Sequence, residues 1–136
     1  MVEVKLRWRV KINRKNGKEY MLRYINVTSR SAVFLINYVP YFNIKNNIIE
    51  FKPNRRYAKK GLRIRLRWLI KREKKNGKVF TQYYISIPSE LAKPVVDLDP
   101  YLVPENMQIV FRPKEGDGMG LNNQLFVDDE GETQSQ

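Results

Sequence analysis

Residues 4–18 read Val-Lys-Leu-Arg-Trp-Arg-Val-Lys-Ile-Asn-Arg-Lys-Asn-Gly-Lys, and residues 64–78 read Ile-Arg-Leu-Arg-Trp-Leu-Ile-Lys-Arg-Glu-Lys-Lys-Asn-Gly-Lys. The two stretches lie 60 positions apart, and the same offset aligns 4–54 with 64–114 without a gap, 18 of 51 positions being identical. Trp8 and Trp68 fall in register, as do Asn16-Gly17 and Asn76-Gly77, Pro40-Tyr41 and Pro100-Tyr101, Phe51 and Phe111. Such self-similarity marks a tandem duplication. It divides the chain into a first unit (1–54), a basic linker (55–63), a second unit (64–114) and a tail (115–136).

Each unit opens on a period of two. Val2, Val4, Leu6, Trp8, Val10 and Ile12 alternate with Glu3, Lys5, Arg7, Arg9 and Lys11, the pattern of a half-buried strand with one basic face. The second copy sets Leu62, Ile64, Leu66, Trp68 and Ile70 against Arg63, Arg65, Arg67 and Lys71. Asn-Gly then predicts a two-residue hairpin turn, because both residues tolerate positive φ. The return strands 19–27 and 79–87 are apolar on both faces, which predicts central strands buried from both sides. A short helical turn is expected at Ser89–Lys93, stopped by Pro94. Pro40-Tyr41 and Pro100-Tyr101 read as loops before closing strands at 47–52 and 107–112. The fold class expected is mostly β: two hairpin-plus-strand units forming one body with a pseudo-twofold axis, since a single unit of this size buries too little surface by itself.

Composition narrows the chemistry. With no Cys and no His among 136 residues there is no disulfide, no Cys/His zinc site and no nucleophile–His triad. Only Asp97 and Asp99 form a close acidic pair in the body, and no Gly-rich phosphate loop is present, so no enzymatic activity, cofactor or metal is expected. No apolar run approaches a membrane span, and the first residues lack the apolar core of a signal peptide, which makes a cytoplasmic protein the expectation.

Charge is the informative quantity. The formal net charge is +12, but all 26 basic residues lie in 1–114 against eight acids, a balance of +18, while 115–136 carry six acids and no base. A basic body of this kind calls for a polyanionic partner, nucleic acid above all. Lys5, Arg7, Arg9 and Lys11 recur at alternate positions, about 7 Å apart in a strand, a spacing that suits successive phosphates. Arg65, Arg67, Lys71 and Arg72 form the matching set. The hairpin tips add Arg14, Lys15 and Lys18 in one copy and Lys74, Lys75 and Lys78 in the other. Arginine suits bidentate readout and lysine a mobile phosphate contact. A solvated face, or protection of a sheet edge by charge, is the competing reading of the same residues. Trp8, Trp68, Tyr20, Tyr24, Tyr83 and Tyr84 read mainly as packing residues. The acidic tail reads as disordered, with Leu121, Leu125, Phe126 and Val127 as a candidate protein-docking element.

The stretch Lys75-Asn76-Gly77-Lys78, then Tyr83-Tyr84-Ile85-Ser86-Ile87-Pro88-Ser89-Glu90-Leu91-Ala92-Lys93, resembles the swapped-hairpin AbrB family. Ile85-Ser86-Ile87-Pro88 matches its Ile-x-Ile-Pro segment, Ser89–Lys93 the helix start, and Ile109–Pro113 the closing strand. The resemblance implies an interlocked, barrel-like pair of β-units that binds double-stranded DNA. It implies a transcription regulator or architectural factor, nucleoid-associated, working as a monomeric pseudo-dimer or a homodimer. An antitoxin-like interaction module and an RNA-binding or virion-associated protein are the alternatives.

Overall fold

The computed structural model describes residues 2–53 and 62–114; the linker residues 55–61 and the tail with its expected docking element lie outside them. The first unit runs β1 (Val4–Lys5), β2 (Arg7–Lys15), β3 (Lys18–Val27), α1 (Ser29–Leu35), β4 (Val39–Asn43) and β5 (Ile48–Lys52). The second repeats it as β6 (Arg63–Arg65), β7 (Arg67–Lys75), β8 (Lys78–Ile87), α2 (Ser89–Ala92), β9 (Leu98–Val103) and β10 (Gln108–Pro113). Arg63, expected in the linker, already belongs to a strand.

Among the described residues ten strands form two antiparallel sheets, β1-β9-β10-β5-β4-β6 and β2-β3-β8-β7. Neither closes on itself, so the barrel-like expectation gives way to two open layers. The reason lies at Leu6 and Leu66, where the long alternating strand expected at 2–12 and its copy are each interrupted. Leu6 N–H donates to the Pro100 carbonyl and Leu66 N–H to the Pro40 carbonyl, both at 2.8 Å. Each chain segment crosses there from one sheet to the other, and both leucines are buried in the core between them. The alternation persists through the crossing, which is why periodicity alone reads one strand.

The crossing also interlocks the units. β1 of the first pairs with β9 of the second, and β6 of the second with β4 of the first. Each hairpin pairs within its own unit. Pro40-Tyr41 and Pro100-Tyr101, expected as loops, lie inside β4 and β9. Proline is tolerated because N–H and C=O of one strand residue point the same way. The Pro40 carbonyl points to Leu66, so the missing N–H faces the crossing point and no ladder bond to β5 is lost. Nearby, Asn43 Oδ1 accepts from the Lys45 and Asn46 N–H groups, a local turn that starts the β4–β5 connection. Helix α1 carries no sequence expectation; only Ala32 and Leu35 of its seven residues are buried, too short a stripe to reveal a helical period.

The core lies between the layers. Ile25, Val27, Ile85 and Ile87 meet Phe42, Ile49, Leu102 and Ile109, with Ala32 and Ala92 from the helices. Trp8 and Trp68 pack from its margins. The Trp8 ring stacks on Phe111 at 5.8 Å and its Nε1–H donates to the Leu98 carbonyl at 2.8 Å. The Trp68 ring stacks on Phe51 at 6.1 Å and its Nε1–H donates to the Tyr38 carbonyl at 3.0 Å. In both cases the ring belongs to one unit and its partners to the other.

Ile25 sits opposite Ile85 where β3 meets β8, so the pseudo-twofold axis passes between these equivalent residues. β3 and β8 pair only over Arg23–Val27 and Tyr83–Ile87, and they are antiparallel. The two hairpins therefore run outward in opposite directions, ending as two-stranded ribbons. Their return strands are central, as expected, but buried only in their C-terminal halves. Tyr20, expected in the packing, is exposed on its ribbon. The ribbon turns take the primed form: Asn16 and Asn76 both have φ 54°, followed by Gly17 at 76° and Gly77 at 77°. No atom lies within 4 Å of a Cβ built on either glycine, so only backbone strain opposes a side chain. Gly17→Ala is expected to cost about 1 kcal/mol, read by denaturant unfolding. A cost near zero would show that the turn relaxes freely.

Candidate nucleic-acid interface

Directly opposed residues in an antiparallel pair share one face of the sheet. The registers Arg7↔Asn26, Arg9↔Tyr24, Lys11↔Leu22 and Lys15↔Lys18 place these residues on the face of the four-stranded sheet away from the core. Tyr24↔Ser86 and Asn26↔Tyr84 carry that face across the axis. Arg67↔Ser86, Lys71↔Gln82 and Lys75↔Lys78 complete it on the far side. Nine cations are thus collected on one face: Arg7, Arg9, Lys11, Lys15 and Lys18 from one unit, and Arg67, Lys71, Lys75 and Lys78 from the other. Glu73 is the one acid in these rows.

Among the described residues none of the nine cations is in an ion pair. Acids stand elsewhere. Asp99 holds Lys5 at 3.3 Å, Glu3 holds Arg112 at 2.6 Å and Glu50 holds Arg63, all across the six-stranded sheet and all between units. The hydrogen bond and charge of Glu50 raise the pKa of the Arg63 guanidinium above its usual value. The ion pairs therefore lie away from the outer face of the four-stranded sheet, a segregation that concentrates the field there.

The centre of the face is built. The Arg9 guanidinium lies 5.8 Å from the centroid of the Tyr84 ring and donates to Tyr84 Oη at 3.2 Å. Tyr84 Oη donates to Gln82 Oε1 at 3.1 Å, and Asn26 Nδ2 donates to the same oxygen at 3.3 Å. Tyr24 meets Tyr84 edge-on at 6.0 Å. Arg9, Asn26 and Tyr24 come from one unit, Gln82 and Tyr84 from the other. The contacts orient Arg9 beside the axis while its charge stays exposed.

Several expected members stand apart. Lys5 and Arg65 belong to the six-stranded sheet, because the crossings at Leu6 and Leu66 carry them there. Arg14, Arg72 and Lys74 lie at the other parity, on the face that carries Trp8 and Trp68. Arg14 is further held by Glu19 at 3.0 Å, an exposed pair. The two rows are also unequal: Leu69 and Glu73 stand where the first copy has Arg9 and Asn13. Asn26, Gln82, Tyr24 and Tyr84 were not anticipated as polar members of the face. Their even parity on the return strands is the signal that would have found them. Among the described residues no three His, Cys, Asp or Glu side chains are grouped to hold a metal, and no helix is long and apolar enough to cross a membrane. No family model, curated protein or solved structure matches the chain.

Proposed function

We propose that the chain binds double-stranded DNA through the outer face of its four-stranded sheet, as a transcription regulator or architectural factor associated with the nucleoid. One observation carries this reading: nine exposed cations share a continuous face with a single acid and none is in an ion pair, while the ion pairs among the described residues lie elsewhere, three of them in the six-stranded sheet. Charge that served solubility alone would have no reason to leave its ion pairs off one face only. Alternate residues about 7 Å apart follow a phosphate backbone, and β-strands are established groove readers. The AbrB resemblance points the same way. The exchange of β1 and β6 between units parallels the interlocked pair that the family implies, here written into one chain as a pseudo-dimer.

The test is a salt series on full-length protein. Log affinity for a 30-base-pair duplex is expected to fall linearly with log salt, with a slope no steeper than about −8 for nine phosphate contacts. Competition at equal salt with single-stranded DNA and with RNA is expected to favour the duplex. A flat salt response, or preference for either competitor, would overturn the reading.

A further inference from the structure

On the cationic face two exposed aromatic side chains remain unexplained by packing. Tyr20 is 48% exposed and Phe80 is 47% exposed, and the two occupy the same position of the repeat. Both lie on the cationic face, Tyr20 opposite Asn13 and Phe80 opposite Glu73. Tyr20 has Lys15 and Lys18 beside it, and Phe80 has Lys75 and Lys78. An aromatic ring near the end of a thin ribbon contributes nothing to the core, and an aqueous surface offers it no compensation.

Their separation follows from the register. Ile25 opposes Ile85 at the axis, Tyr20 lies five residues from it in one direction, and Phe80 lies five in the other. Ten strand steps of ~3.3 Å set the two rings about 33 Å apart. One turn of B-form DNA is about 34 Å. Two rings so spaced, on one face and flanked by lysines, have the separation of successive turns of one groove.

We propose that Tyr20 and Phe80 act as paired aromatic wedges, each entering a groove and partly unstacking one base step, the two steps lying one helical turn apart. The ligand class is duplex DNA with flexible pyrimidine–purine steps about 10 base pairs apart, since such steps kink most readily. This inference rests on the duplex-binding reading above. Wedge insertion bends DNA, whereas contact with phosphates alone leaves it straight.

The experiment uses full-length protein and the Tyr20→Ala, Phe80→Ala and double variants, whose exposed sites leave the melting temperature unchanged. The probe is a 30-base-pair duplex with end-attached dyes and 2-aminopurine at two TA steps 10 base pairs apart. The wild-type protein is expected to shorten the dye separation and to raise 2-aminopurine fluorescence. Each single variant is expected to lose roughly tenfold in affinity, in the range of base–aromatic stacking. The double variant loses bending and fluorescence but keeps the salt slope, because every cation remains. Steps placed 5 base pairs apart, on opposite sides of the helix, are expected to remove the fluorescence rise at one step. A double variant that bends and unstacks like wild type overturns the inference and leaves duplex binding standing, as does a wild-type protein that binds with its full salt slope but leaves the DNA straight. Absence of any duplex binding at low salt overturns both.

Discussion

The variant carrying Arg7→Gln, Lys11→Gln, Arg67→Gln and Lys71→Gln is expected to lose at least 100-fold in duplex affinity at ~0.1 M salt, with its log–log salt slope reduced by about 3.6. These four side chains are exposed, none is in an ion pair, and two come from each unit. Their removal therefore tests the face without disturbing the fold. Arg9 is left in place because it also binds Tyr84 across the axis. The control is Lys5→Gln with Arg65→Gln, two cations of the six-stranded sheet, and is set against the Arg7→Gln, Lys11→Gln pair, which removes as many charges. It is expected to change affinity less than threefold. Equal losses from both sets would mean that net charge acts without a defined face. Unchanged binding in the fourfold variant would remove the proposed interface altogether. The unequal rows allow a finer outcome: Arg7 and Lys11 flank Arg9 where Arg67 and Lys71 flank Leu69, so their pair of substitutions is expected to cost more than Arg67 with Lys71.

Trp8→Ala together with Trp68→Ala is expected to leave the chain largely unfolded at 25 °C. Each indole bridges the two units, stacking on a phenylalanine of the other unit and donating its N–H to a carbonyl there. Truncating one such ring costs about 3 kcal/mol. The two sites share no partners, so their costs add to about 6 kcal/mol, a large part of the 5–15 kcal/mol typical of a domain. Trp8→Phe separates the contributions: it retains a ring against Phe111 but leaves the Leu98 carbonyl without its donor, at a cost of about 1 kcal/mol. Urea unfolding of the single variants measures both. A Trp8→Ala midpoint indistinguishable from wild type would show that the indoles are ornaments of the margin. If the bridging account is right, the two units melt in one transition, because neither keeps a complete sheet alone.

Local pattern carried much of this to the page of the sequence. The duplication, the Asn-Gly turns, the pairing of Lys15 with Lys18 and of Lys75 with Lys78, and the parity that separates Arg7, Arg9 and Lys11 from Trp8 and Val10 all depend on neighbouring residues. Period and turn chemistry are local, so they are legible one residue at a time. The short helix at Ser89 was legible from its two apolar residues and the proline after them, but the serine does not cap it: Ser89 is its first residue, Pro88 holds the N-cap position and no side chain caps it.

What only tertiary structure decided concerns which layer each residue joins. Alternation is the same on both sides of Leu6 and Leu66, so nothing in it tells that Lys5 and Arg65 pass into one sheet while Arg7 and Arg67 pass into the other. That division arises from long-range bonds, Leu6 to Pro100 and Leu66 to Pro40, across sequence distances that pattern does not span. The same bonds turn Pro40 and Pro100 from expected loop residues into strand residues, since their missing N–H groups meet the crossing rather than a ladder. The charges themselves were set by the sequence; their collection on a face without ion pairs is a property of the fold, because an acid neutralises only the cation it reaches.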